Sequence, residues 1–167
     1  MRKLLELDPR PWFSVSATTR RRRAGEADGE DYLFLDRREF ERIRDEGGFL
    51  ESFVVYGDLY GTPRGPVDEH LAAGDDVLLE LDVQGALAAR DKYPDAVLVF
   101  VKAPSRGEQR RRLLERGQDD PEAIERRLAR AEEEEQAAAR FDAVIVNDDA
   151  DRAAREVAAI LESRREA

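Results

Sequence analysis

Three groupings of side chains in this sequence have the composition for work on a phosphorylated ligand. The first is Phe13 to Tyr32, FSVSATTRRRRAGEADGEDY, where a short apolar stretch and a row of hydroxyls lead into Arg20, Arg21, Arg22 and Arg23. Guanidinium forks hold phosphate through paired N–H bonds, and hydroxyls donate beside them. A solvated charge run closed by an acidic turn has the same composition. The second is Glu80 with Asp82, two residues apart and so on one face of a strand. Such a pair can accept from a ligand's N–H groups or hold a metal, and strand-end capping is the plain structural alternative. The third is Arg112 with Arg116, spaced i, i+4 on one helix face, and Arg127 beside Ile124 and Leu128. Arginines on a weakly anchored helical flap can neutralise a transferring phosphoryl group and expel water. A solvated helix laced by pairs such as Glu122–Arg126 would look the same.

The chain has 167 residues, enough for one domain with a real core. Hydrophobic content is 41%, and no apolar run approaches the ~18 residues of a membrane helix. The opening MRKLLELDPRPW has too short an apolar stretch, and no small-residue cleavage site, for a signal peptide. With no cysteine there is neither a disulfide framework nor a thiolate metal site, which fits a cytoplasmic protein. The net charge of −10 repels polyanions, and no aromatics interleave with the arginine run, so nucleic acid is not an expected partner and neither is a membrane.

In chain order, Lys3 to Leu7 predicts a helix ended by Asp8-Pro9. Phe13 to Ser16 alternates like a strand that Thr18 and Thr19 leave as a loop. Tyr32 to Leu35 is a short strand, and Asp36 with Glu39 makes a capping-box start for a helix stopped by Gly47-Gly48. Phe49 to Tyr56 predicts a strand with Glu51 planted among apolar neighbours. Gly57 to Pro63 has turn chemistry, and Pro66 to Ala73 is a brief helix closed by Gly74. Dense apolar strands follow at 77–81, 96–101 and 143–146. They alternate with a helix after Asp82-Val83-Gln84-Gly85, one capped by Ser105 and Glu108, one from Asp120-Pro121 to about Ala139, and a final helix carrying Val157, Ile160 and Leu161. That alternation predicts a parallel α/β sheet, with 32–74 as a mixed insertion. Ligands of such sheets gather at strand C-terminal ends, where Asp82 and Asn147 both fall. His70 and Trp12 read as an exposed side chain and a packing residue, and Glu132–Glu135 as a solvated helix face.

Several of these stretches resemble the guanylate kinase signature. They are Ser14-Val15-Ser16-Ala17-Thr18-Thr19-Arg20, Arg23-Ala24-Gly25-Glu26, Gly29-Glu30-Asp31-Tyr32, Phe49-Leu50-Glu51, Tyr60-Gly61-Thr62, Leu81-Asp82-Val83-Gln84-Gly85-Ala86, Arg116-Gly117 and Val146-Asn147-Asp148. The resemblance runs from Leu4 to about Ser163. It implies an α/β fold with a three-layer parallel-sheet, P-loop kinase-like core (1–15, 75–104 and 140–167), an inserted mixed α+β GMP-binding subdomain (16–74) and a helical lid (105–139). It implies transfer of the terminal phosphoryl group of ATP to GMP, with Mg²⁺ accompanying ATP. By resemblance, Ser16, Arg20, Arg23, Tyr32 and Tyr60 hold the GMP phosphate, and Glu51, Thr62 and Asp82 read guanine. By the same resemblance Glu80 is the ninth GMP-binding position, near the metal and phosphates, Arg112, Arg116 and Arg127 are lid arginines on ATP and the transferring group and with Arg20 form the catalytic set, and Asn147 belongs to the nucleotide-side loop that binds ATP. Guanine offers N1–H and N2–H₂ to a carboxylate, whereas adenine reverses the pattern, so a site that must pair its buried polar groups can discriminate by ~10⁴.

Two departures stand out. Arg22 occupies the position of a usual loop proline, leaving Arg20 and Arg23 in place. No G-x-x-x-x-G-K-[ST] loop is present, because Lys3, Lys92 and Lys102 never follow glycine. The expectation is that Met1 is a misplaced start, that the natural protein is longer, and that this chain is impaired in seating ATP. The alternative is a non-catalytic guanylate-kinase-like module that binds GMP or a phosphoprotein.

Overall fold

The computed structural model describes residues 1–55, 57–117 and 121–166, without the side chain of Arg116. The chain divides into two compact units, Pro9–Pro94 and a second formed by Met1–Asp8 with Asp95–Ala167.

Within Pro9–Pro94, β1 (Trp12–Phe13) pairs in parallel with β6 (Val77–Leu78). A four-stranded sheet has the order β3-β2-β5-β4, formed by β3 (Leu33–Phe34), β2 (Ala17–Thr18), β5 (Asp58–Pro63) and β4 (Phe49–Val55). Strands β4 and β5 form an antiparallel pair and β2 runs antiparallel to β5, while β2 and β3 are parallel. Beneath this sheet, Phe40 of α2 (Arg37–Asp45) is fully buried and stacks on Phe49 with centroids 4.4 Å apart, beside Ala17 and Leu59. Burying one such aromatic stabilises a fold by roughly 2–3 kcal/mol. Helix α2 starts where expected, since the Asp36 carboxylate accepts the Glu39 N–H at 2.8 Å. Helices α3 (Arg64–Ala73) and α4 (Val83–Lys92) complete the unit. Trp12 is indeed a packing residue. Its indole stacks on His70 of α3 at 4.1 Å, and the His70 Nδ1 lies 2.7 Å from Asp75, so this imidazole is half-buried rather than exposed.

Four sequence expectations change here. Residues 14–16 are not a strand: β1 ends at Phe13, and pairing resumes at Ala17–Thr18. Thr18 is therefore not a loop residue but wholly buried, its Oγ1 donating to the Leu59 carbonyl at 3.0 Å. The segment 58–63 is a six-residue strand and not a turn, because β4 and β2 flank it and take up its backbone groups. The run 77–81 pairs only at Val77 and Leu78.

In the other unit, β7 (Val99–Lys102) and β8 (Ala143–Val146) are parallel, with Val99 opposite Ala143 and Lys102 opposite Val146. Helix α1 (Arg2–Leu7) joins α7 (Ala150–Arg165) through Lys3 with Asp151, and Arg165 donates to Asp8 at 2.6 Å. Helix α5 (Arg106–Arg116) is capped by Ser105, whose Oγ accepts the Glu108 N–H at 3.2 Å. It lies beside α6 (Pro121–Gln136), which a 3₁₀ turn, Ala137–Arg140, follows. Asp120, expected to open α6, lies outside the described residues, as does Tyr56 at the end of the β4 run. Among α6 residues only Ile124 and Leu128 are buried, so the narrow apolar stripe is real. Ion pairs Arg106–Glu132 and Arg110–Glu125, both 2.6 Å, tie α5 to α6. The acidic run 132–135 is thus partly engaged, with Glu134 on Arg130 at 2.7 Å and Glu135 3.7 Å from Lys102, rather than simply solvated.

Candidate functional site

The unit Pro9–Pro94 holds a cavity of ≈ 160 Å³ lined by Ser16, Tyr32, Glu51, Tyr60, Glu80 and Asp82, with Phe53, Val55, Gly61 and Leu81 supplying apolar and backbone wall. Six of the nine positions expected to contact the monophosphate nucleotide therefore meet around one space. Thr62, Arg20 and Arg23 do not line it, and the first two are tied to residues that do.

The hairpin of β4 and β5 places the central groups. Phe53 stands opposite Tyr60 and Ser52 opposite Gly61, yet Phe49 stands opposite Pro63. Leu50 and Glu51 together oppose Thr62, which makes a bulge, and bulges re-aim side chains next to sites. From this bulge Glu51 reaches the buried Thr62, whose Oγ1 donates to Oε1 at 2.5 Å. Burial pushes the Glu51 carboxyl above its ordinary value and nearby Asp82 pushes the same way, while the Thr62 hydrogen bond opposes them. Gly61 is required by space: a Cβ there would lie 3.0 Å from the Glu51 carbonyl and 3.1 Å from both the Phe40 and Phe49 rings.

Asp82 is the N-cap of α4, accepting the Gly85 N–H at 2.8 Å through Oδ1. The capping alternative is therefore true of Asp82 and compatible with its place on the cavity wall. Glu80 is exposed at the rim.

Arg20 carries the cationic side. Its Nη2 donates to Glu26 Oε1 at 2.7 Å, and its Nη1 donates to Glu26 Oε2 at 3.1 Å and to the Arg21 carbonyl at 2.8 Å. The guanidinium lies 5.4 Å from the Tyr32 ring centroid and 5.7 Å from that of Phe34. Tyr32 meets Tyr60 edge-on at 6.0 Å. Glu26, and after it Tyr60, hold the Arg20 pKa above its ordinary value, and Arg20 in turn lowers that of Glu26. Burial raises the Tyr32 phenol, helped by Tyr60 and Glu80, so it stays a neutral donor. Arg23 is half-buried, and its backbone N–H donates to Glu26 Oε2 at 2.8 Å.

Glu26 is the residue to which sequence reasoning gave no role, although it closes the Arg23-Ala24-Gly25-Glu26 stretch of the signature. It sits six residues after Arg20 in a loop, and the signature was the one sequence signal that could have drawn attention to it.

The remaining expected residues lie on the other unit. Arg112 is half-buried, with Nε donating to Glu108 at 2.7 Å, and Glu108 is held down to about 2 by Arg111 and then Arg112. Arg127 is half-buried on α6 between Ile124 and Leu128. Arg116 ends α5, and its side chain lies outside the described residues. Asn147 follows β8, its N–H donating to the Lys102 carbonyl at 2.7 Å. Among the described residues no group of three or more His, Cys, Asp or Glu side chains can hold a metal ion, and no helix is long and apolar enough to cross a membrane.

A polar, acidic-walled cavity with an aromatic side and an adjoining arginine is a chemical match for a base bearing N–H donors and an attached phosphate. Comparison with known proteins gives the same direction. The guanylate kinase family model matches residues 2–164. A protein named guanylate kinase from Synechococcus sp. (strain CC9902) is 50% identical over 94% of this chain and 84% of its own length. One of the same name from Symbiobacterium thermophilum is 51% identical over 96% and 76%. Among solved structures, the crystal structure of guanylate kinase from Anaplasma phagocytophilum superposes with a TM-score of 0.83 at 35% identity, over 98% of this chain and 79% of that one.

Proposed function

Because the chain belongs to the guanylate kinase family, we propose that it transfers the terminal phosphoryl group of ATP to GMP, giving GDP and ADP, with the cavity of Pro9–Pro94 as the GMP site. The observation that carries the assignment is the Glu51–Thr62 pair at the β4–β5 bulge. Glu51 accepts the guanine N1–H and N2–H₂, Thr62 holds that carboxylate in place and offers its oxygen to the base edge, and Asp82 takes a further N–H from the cavity wall. Ser16, Tyr32, Tyr60, Arg20 and Arg23 hold the phosphate by hydroxyl and guanidinium donation.

Phosphoryl transfer has little covalent work for a protein, so positioning and charge neutralisation do most of the catalysis. Arg112, Arg116 and Arg127, in a lid spanning 105–139, meet the ATP phosphates and the developing charge, with Asn147 on the nucleotide side. Glu80, exposed at the cavity rim, would hold the Mg²⁺ that accompanies ATP through its water shell, and the ion would supply neutralisation of the triphosphate charge, one or two carboxylates with substrate oxygens being enough for such a site. The reaction substrates are soluble nucleotides, consistent with a cytoplasmic site of action.

The direct test is coupled ADP production with GMP against AMP, together with calorimetric binding of each. GMP-dependent turnover with little response to AMP is the expected result. GMP binding without turnover would instead favour a non-catalytic GMP-binding module, and no preference for GMP over AMP would remove the assignment.

A further inference from the structure

We propose that Glu26 is the positioning residue of the phosphate arm, presetting Arg20 and the Arg23 backbone so that the GMP phosphate meets an already oriented guanidinium; this rests on the GMP reading above. A guanidinium has five N–H groups arranged as an end-on fork and a side-on fork. Glu26 takes the end-on fork of Arg20 with both carboxylate oxygens, at 2.7 and 3.1 Å, and the Arg21 carbonyl takes the outer Nη1 hydrogen at 2.8 Å. On the cavity side the guanidinium meets the hydroxyl of Tyr60, itself a cavity-lining residue, so the edge not taken by Glu26 faces the expected phosphate position.

The aromatic rings of Tyr32 and Phe34 fix the guanidinium as well, at 5.4 and 5.7 Å from their centroids. A carboxylate bonded at one edge and rings against the cation leave Arg20 little rotational freedom. The third bond of Glu26, from the Arg23 N–H at 2.8 Å, folds the loop so that the second arginine leaves from a defined point. Four consecutive arginines would otherwise repel one another and sample many rotamers. A preset fork spares the ligand that ordering cost. Glu26 does not line the cavity, and its hydrogen bonds go to Arg20 and the Arg23 N–H, so its effect on the ligand passes through those two residues.

The test is calorimetric binding of GMP and of guanosine to the wild type, Glu26→Gln and Glu26→Asp, with Arg20→Lys and the double variant closing a cycle. Glu26→Gln should weaken GMP binding about tenfold and leave guanosine affinity unchanged, because only the phosphate arm is disordered. Glu26→Asp, too short to keep all three bonds, should fall between. In the Arg20→Lys background, Glu26→Gln should cost less than threefold, as coupled residues require. Equal weakening of GMP and guanosine would mean a general structural role and overturn the proposal. Unchanged GMP binding in both Glu26 variants would also overturn it. Failure of the wild type to bind GMP would instead remove the underlying functional reading. Should Glu26→Gln melt without a cooperative transition, Glu26→Asp alone decides between these outcomes.

Discussion

The Thr62 hydroxyl donates to Glu51 Oε1 at 2.5 Å across a β-bulge, from a side chain buried to 1% exposure to a carboxylate on a cavity wall. A backbone bond from Thr62 joins it, so the position of the Glu51 carboxylate is coupled to the hairpin register.

Replacing Thr62 with valine keeps the shape and removes the donor. Glu51 then loses the hydrogen bond that favours its charged form, and a bond to a charged group contributes roughly 1.5–3 kcal/mol. GMP affinity should fall by about ten- to a hundredfold while AMP binding stays weak. Calorimetry on the folded variant checks this, and unaltered GMP affinity would refute the coupling.

The raised Glu51 value has opposite consequences for ligand and fold. Binding needs the carboxylate, so guanosine affinity should decline as pH falls through the raised value, which lies above the ordinary Glu range of about 4.3. Guanosine is the better probe because a phosphate monoester itself titrates near pH 6. Stability runs the other way. A raised folded value means that Glu51 favours the native state below its unfolded value and that this contribution is lost as pH rises through the folded one. Glu51→Gln should therefore bind guanosine poorly at every pH and melt at an equal or higher temperature than wild type at pH 7.

Gly61→Ala should disturb core packing and the site together. The added methyl meets the Glu51 carbonyl at 3.0 Å and two core rings at 3.1 Å. Overpacking of this kind costs about 1–3 kcal/mol. A lowered melting temperature and weakened GMP binding are expected together, and a variant with wild-type values for both would show that the hairpin yields.

Glu108 is held down to about 2 by Arg111 and Arg112. A depressed value contributes stability above the ordinary carboxyl range and loses it as pH falls toward about 2. Acid titrations of Glu108→Gln and wild type should converge only at the acid end of that window. The same variant frees the Arg112 Nε from its 2.7 Å bond, so any change in ATP dependence without a change in GMP dependence would locate Arg112 on the donor side.

Local chemistry made the helix starts legible. Asp36, Asp82 and Ser105 all cap the helices that their sequence positions announce, since an N-cap acts within three residues. Strand β5 was hidden because Gly57, Gly61 and Pro63 dominate its local signal, while β2, on its other edge from the β4 hairpin partner, pairs with it as Ala17–Gly61 and Thr18–Tyr60, too far apart in sequence to leave a local trace. The same distance concealed the burial of Thr18, which depends on Leu59. At the site, the carboxylates and arginines drew attention by type, whereas the wall residues Phe53, Val55 and Leu81 read as ordinary apolar strand positions. Glu26 looked like one acid in an acidic turn, and only the folded loop brings both its oxygens to Arg20.

Trp12 is the sole tryptophan, and its ring lies flat against the sole histidine. Emission excited in the indole band consequently originates from one known spot, where β1 meets α3. Separating the two rings should alter that emission, giving the molecule an intrinsic optical gauge of how firmly its first strand is seated.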